Sequence, residues 1–314
     1  MTQPRIRVIA DNDYSGDPDG LVQLAHHLLS PSVDLRAIIG SHLRPGDPFD
    51  PSERTGENAA ARAQEVVDAV GSARAPGSPR VIAGSNVGLA DARTPIRSVA
   101  ATAIVLEAMR DDTDLPLYLA CGAGLTEIAS AWLMEPRIAE RVTIVWIGGP
   151  EDPDLASPPP GHSEVEYNLA IDPIAARVVL EDSDLPLWQV PRNAYRQALL
   201  STAELDARIR PRGAIGALLA DSIDRVAEFA GAAGLPLGET YVYGDSPLVL
   251  LTALQSSFEP DASSSESVLR PAPRLSADGV ATFDGSGRSI RVFTRLDLRL
   301  MFEDLFAKLA RAAR

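Results

Sequence analysis

The sequence predicts an α/β fold: a mainly parallel sheet flanked by helices. Three observations carry that expectation. Strand-like and helix-like segments alternate over the first two-thirds of the chain, joined mostly by short connections, which is the pattern of βαβ units. The strand candidates are largely apolar, as in Val142-Thr143-Ile144-Val145-Trp146-Ile147, which suits a sheet covered on both faces. The chain has 314 residues, 45% hydrophobic and 23% charged, enough to bury a real core. No internal repeat or long linker divides it, so residues 1–314 are expected to form one domain. Its C-terminal portion, from about residue 195, reads as helical and rich in loops.

In order, residues 6–10 form a short β run, followed by an acidic loop and an apolar helix over about 19–29. Residues 35–40 give the second strand, a Pro/Gly/Asp-rich loop spans 41–55, and a helix covers about 57–70. A strand at 81–83 precedes a helix near 99–109, and one at 115–120 precedes a helix at 125–133. The strand at 142–147 ends in Gly148-Gly149, residues 173–180 are helical, and 187–190 form the next strand. Residues 201–235 read as mostly helical with a break at Pro211-Arg212-Gly213. A Ser-rich loop at 261–266, a strand at 289–294 and an amphipathic helix at 298–313 complete the chain. This succession is Rossmann-like, and in such sheets ligands sit beyond the carboxyl ends of the strands. Residues just after each strand are therefore the candidates for chemistry.

Composition narrows the function. Lys and Arg number 29 against 43 Asp and Glu, giving a net charge of −14 and a pI near 4.7. A nucleic-acid polymer is a poor partner for such a chain, because phosphate binding is driven by cationic side chains. No run of about 18 apolar residues predicts a membrane span, and the N-terminal residues lack the apolar segment of a signal peptide. The single cysteine, Cys121, forms neither an internal disulfide nor a thiolate metal cage. A cytoplasmic protein is expected.

The first strand runs into Asp11-Asn12-Asp13-Tyr14-Ser15-Gly16-Asp17-Pro18-Asp19-Gly20, four carboxylates within nine residues. Such a cluster repels itself unless a cation neutralises it. Oxygen-only donors select a hard cation, Ca²⁺ or Mg²⁺, and no Cys or His pattern nearby points to zinc. The competing explanation is that these aspartates shape turns and cap the following helix, with Asp19 as the cap.

This loop resembles the signature of the inosine-uridine nucleoside hydrolase family. Asp11, Asp13 and Asp17 keep the family spacing, Pro18 stands as a one-residue insertion before Asp19, and Tyr14-Ser15 replaces the usual Pro-Gly. The likeness continues at residues 57–71 and 80–84, at Leu119-Ala120-Cys121-Gly122-Ala123-Gly124-Leu125-Thr126, and at Ile147-Gly148-Gly149. It resumes at Val165-Glu166-Tyr167-Asn168 with Asp172-Pro173, and at Gly244-Asp245-Ser246-Pro247-Leu248. The resemblance implies the nucleoside hydrolase fold, a homodimer or homotetramer, and cleavage of the N-glycosidic bond of a ribonucleoside. It implies a Ca²⁺ ion held by Asp13, Asp19, Asp245 and the backbone carbonyl near Cys121. It further implies Asp13 as general base towards a metal-bound water. Asp17 and Asn168 would hold the ribose 2′-hydroxyl, Asp245 the 3′-hydroxyl and Glu166 the 5′-hydroxyl. These roles suit an oxocarbenium-like transition state stabilised by surrounding carboxylates.

The sequence also departs from the pattern. Gly244 stands where the family has a histidine, which in some relatives protonates the departing base, and Pro160 stands roughly where relatives carry a second Asn. His42, after the second strand, and His162, in the loop before Glu166, are the alternative leaving-group acids. His26 and His27, in the first helix, read as structural or exposed. The long loop 41–55 replaces a short turn and suits a lid or a subunit contact. A second enzymatic reading, a haloacid-dehalogenase-like phosphotransferase, also has Asp-x-Asp after strand one. It leaves Glu166, Asn168 and Asp245 unexplained, and the only lysine, Lys308, lies in the final helix. A third reading is a non-hydrolytic ribosyl-binding or regulatory homologue without leaving-group activation.

Overall fold

The computed structural model describes residues 3–75, 79–235, 238–256 and 263–313. The chain begins β1 (Ile6–Asn12), α1 (Asp19–Leu28), β2 (Val33–Gly40), α2 (Thr55–Val70), β3 (Arg80–Ala83) and α3 (Val99–Ala108). It continues β4 (Leu117–Cys121), α4 (Thr126–Met134), β5 (Val142–Ile147), α5 (Tyr167–Ile171), α6 (Pro173–Arg177) and β6 (Leu187–Val190). The C-terminal portion holds α7 (Arg192–Tyr195), β7 (Leu199–Ser201), α8 (Thr202–Glu204), α9 (Gly213–Ala232), β8 (Thr240–Val242) and α10 (Pro247–Thr252). Last come β9 (Glu266–Pro271), β10 (Arg274–Leu275), β11 (Ala281–Thr282), β12 (Ser289–Arg295) and α11 (Leu298–Ala312).

Eight strands form one sheet in the order β3-β2-β1-β4-β5-β6-β12-β9, all parallel except β9, which runs antiparallel to β12. Alternate residues of β1 serve opposite cores. Val8 and Ala10 pack with residues of α1, α2, α9, α10 and α11, whereas Ile9 packs with residues of α3, α4 and α6. Both faces are therefore buried, which explains why the strands read as apolar runs. The strand order reverses between β1 and β4, and that reversal opens a crevice at their carboxyl ends. Register places Asp11 beside Cys121 and Asn12 beside Gly40, so the acidic loop leaves the sheet at the crevice.

Glu166 caps α5, its side chain accepting a hydrogen bond from the Leu169 amide. Residues 201–235 are mostly helical, with the interruption where the sequence placed it: a capping box at Ser201 and Glu204 starts α8, a π-helical turn follows, and α9 begins at Gly213, the last residue of the expected break. The Ser-rich loop gives way to β9 at Glu266, while residues 261 and 262 lie outside the described residues. No helix among the described residues is long and apolar enough to cross a membrane.

Candidate active site

At the end of β1 the buried Asn12 organises the acidic loop. Its Oδ1 accepts from the Asp13 amide at 2.9 Å, and its Nδ2 donates to Asp245 Oδ2 at 2.8 Å. Gly20 and Gly122 make this reach possible, because a Cβ at either position would run into the Asn12 amide. Asp13 follows, 5% exposed. Asp19 is the first residue of α1, and its Oδ2 accepts from the Asp245 amide at 3.0 Å. Asp17 Oδ1 accepts from the Asp19 amide at 3.3 Å and from the Tyr241 hydroxyl at 2.6 Å. Asp245 lies between β8 and α10, so segments more than 200 residues apart meet here.

The facing wall comes from the segments after β5 and β6. Glu166 is fully buried; its Oε2 accepts from the Gly149 and Leu169 amides, at 2.7 and 3.1 Å, and its Oε1 from the Tyr195 hydroxyl at 2.8 Å. Asn168 Nδ2 donates to the Ile147 and Gly122 carbonyls, at 2.7 and 3.2 Å, pinning α5 to the ends of β5 and β4. Between the walls lies a cavity of about 530 Å³ whose lining includes Asp13, Asp17, Asp19, Asp245, Glu166 and Asn168. That volume suits a small polar molecule.

Burial sets the electrostatics. It pushes the Asp13 and Asp19 carboxyls well above the carboxylate range, reinforced by the neighbouring charges of Asp245 and Asp17. Asp245 is raised to about 7, burial outweighing the hydrogen bond from Asn12. Asp17 and Glu166 are raised for the same first cause, opposed by Tyr241 and Tyr195 respectively. Among the described residues the only cationic side chains in the lining are Arg192, which is paired with Glu151 at 2.6 and 3.0 Å, and the exposed Arg196. The donor set is therefore oxygen only, crowded and short of positive charge, which is the chemistry a hard divalent cation satisfies. Among the described residues no three His, Cys, Asp or Glu side chains close into a ready-made metal cage.

The sequence profile of the inosine-uridine preferring nucleoside hydrolases matches residues 8–265, from β1 to the start of β9. The chain belongs to that family. Its members are hydrolases acting on N-glycosyl bonds. Solved structures share the fold at low identity. A plant nucleoside hydrolase is 16% identical, with a TM-score of 0.66 over 98% of this chain and 99% of its own. The inosine-uridine preferring nucleoside hydrolase of Bacillus anthracis is 14% identical, with a TM-score of 0.65 over the same shares. The type III effector XopQ, solved with adenosine diphosphate ribose, is 15% identical, with a TM-score of 0.60 over 100% of this chain and 95% of its own. No curated protein matches the sequence.

Within this nucleoside hydrolase, the structure gathers Asp13, Asp17, Asp19, Glu166, Asn168, Asp245 and His162 around one cavity. It does not bring His42 or Cys121 into the lining. His42 is buried, with Nδ1 2.9 Å from the Leu43 carbonyl and Nε2 2.9 Å from Thr126 Oγ1. Cys121 is fully buried in β4, and Gly122, one residue on, reaches the cavity instead. His162 stands at the exposed rim, its Nδ1 2.9 Å from the Pro159 carbonyl. Asp19 is not the cap of α1; Pro18 holds that position and makes no side-chain cap. Asp172, by contrast, does cap α6, accepting from the Ala175 amide at 2.9 Å. Sequence reasoning gave no role to Asn12, Tyr195 and Tyr241, and placed Phe49 only in the loop 41–55 and Tyr167 only in the motif around Glu166. Tyr195 carried a usable signal, since it closely follows a strand end, whereas Tyr241 carried none.

Proposed function

We propose that this protein hydrolyses the N-glycosidic bond of a ribonucleoside, with Asp13 as general base, as one catalytic unit spanning the chain. The observation that supports this best is the convergence of Asp13, Asp17, Asp19 and Asp245 on a cavity faced by Glu166 and Asn168. Asp17 and Asn168 are suited to the 2′-hydroxyl, Asp245 to the 3′-hydroxyl and Glu166 to the 5′-hydroxyl. A carboxylate accepts from each hydroxyl, and Asn168, whose Nδ2 donates to the Ile147 and Gly122 carbonyls, offers Oδ1 as a further acceptor. A Ca²⁺ ion held by Asp13, Asp19, Asp245 and a backbone oxygen near Cys121 would supply positive charge and acidify a water beside it. Asp13 takes the proton of the attacking water as C1′ gains cationic character, and the surrounding carboxylates stabilise that charge. The reading extends to a homodimer or homotetramer in the cytoplasm.

Replacing Asp13 by Asn keeps the shape and removes the base. Turnover of inosine or uridine should fall by about 10²–10⁴-fold, the usual contribution of a general base, with the melting temperature near that of the parent. An Asp13→Asn protein that keeps most of its activity would place the base elsewhere. A second reading, a ribosyl-binding protein without turnover, is favoured by one observation. A Cβ at Gly244 would stand 3.2 Å from the Tyr195 ring, so the tyrosine crowds the position where relatives carry a catalytic imidazole. Binding of nucleoside without sugar release in the same assay would select that reading.

A further inference from the structure

Heterolysis of a C–N glycosidic bond sends an electron pair to the leaving ring. A neutral base then departs as an anion unless it is protonated, and here it would do so among Asp13, Asp17, Asp19, Asp245 and Glu166. Where a cation holds those carboxylates ionised, the remaining proton donors of the lining are committed elsewhere. Tyr167 donates its hydroxyl to Asp47 Oδ2 and Tyr195 donates to Glu166 Oε1, each at 2.8 Å. Gly244 has no side chain, Arg192 is locked to Glu151, and His162 turns Nδ1 to its own loop at the exposed rim. Arg196 also lies in the lining but is solvent-exposed, where its charge is screened.

Loop 41–55 adds an aromatic face to this wall. Asp47 is fully buried and accepts from the Tyr167 hydroxyl, from Arg44 Nε at 3.2 Å and from the Phe49 amide at 3.1 Å. These bonds pin the loop to α5 and hold Phe49 against the cavity. An aromatic face in a strongly acidic cavity attracts a planar cation.

Building on the nucleoside hydrolase reading, we propose that the preferred leaving group is a heterocycle that already carries positive charge, as in an N-ribosylpyridinium or a 7-alkylated purine riboside, with Phe49 as its contact. The C1′–N bond breaks and its electron pair neutralises the ring nitrogen, so the heterocycle leaves uncharged and requires no acid. The water oxygen bonds to C1′, and its proton passes to Asp13 and on to solvent. The products are ribose, a neutral heterocycle and one proton.

The test compares kcat/KM for nicotinamide riboside, inosine and uridine on the intact protein. The pyridinium riboside should exceed both neutral nucleosides by about 100-fold or more, the low end of what a general acid supplies. Phe49→Ala should raise KM for the pyridinium riboside by about fivefold, and by more than it raises KM for uridine; an equal rise for both would remove the cation–aromatic contact. Neutral nucleosides cleaved within tenfold of the pyridinium riboside would overturn the proposal while leaving the nucleoside hydrolase reading intact. If no substrate releases sugar, the hydrolytic reading fails, and calorimetry still decides on the cationic ligand. Nicotinamide riboside should bind at least fivefold tighter than its reduced, uncharged form, and equal affinities would overturn the proposal.

Discussion

Burial acts with opposite sign on the acids and the imidazoles of this chain. It raises Asp13, Asp19 and Asp245, which crowd one another, and it lowers His26 to about 4 and His27 to about 3. His27 lies in the core, with Nε2 2.9 Å from Thr252 Oγ1 and Nδ1 against Gln23. His26 faces Asp304 at 2.7 Å, and the Lys308 ammonium pairs with the same carboxylate. Sequence position alone therefore left their role open, and the structure makes them packing groups. The native imidazole of His27 resists protonation that the unfolded chain accepts near pH 6.5. Its stabilising effect is thus complete above about pH 6.5 and is lost as pH falls towards 3. In saturating calcium, His27→Gln should gain about 2 kcal/mol relative to the parent between pH 7.5 and pH 5, by denaturant titration. A pH-independent difference would show that His27 is not held neutral.

At the scale of elements, Asp172 joins α6 and α4 to the connection between β3 and α3. Oδ1 caps α6 through the Ala175 amide, while Oδ2 accepts from the Leu89 amide at 2.8 Å and from Thr126 Oγ1 at 2.6 Å. It is 3% exposed, so truncation strands buried donors. Asp172→Ala should cost about 2–4 kcal/mol of stability, and a loss under 0.5 kcal/mol would mean that water replaces all three bonds. The sequence showed Asp172-Pro173 as a helix start but could not show Leu89 or Thr126 arriving from other segments. The same division holds elsewhere. The strands β1 and β5 were legible because both sheet faces are covered, which makes them largely apolar. By contrast, β9 was not, because an edge strand with mostly exposed residues has no apolar alternation. The acidic loop was legible from its density of carboxylates. Which residue at the end of β4 lines the cavity was not, because Cys121 and Gly122 differ only in where β4 ends.

Across the whole molecule, a chain of net charge −14 folds five carboxylates into one cavity and places its only lysine in the last helix, remote in sequence from all of them. The sheet makes this possible by reversing strand order at β1 and β4, so that Asp13 and Asp19 meet Asp245 at a single crevice. Such an arrangement is self-repelling unless a divalent cation joins it, and the same cation would draw in the hydroxyls of a ribosyl group. Sugar release from a panel of ribosides, measured after chelation and again after adding back calcium, tests that claim most directly. We expect release to fall to background with chelator and to return with Ca²⁺; release that proceeds undiminished in excess chelator would contradict the account.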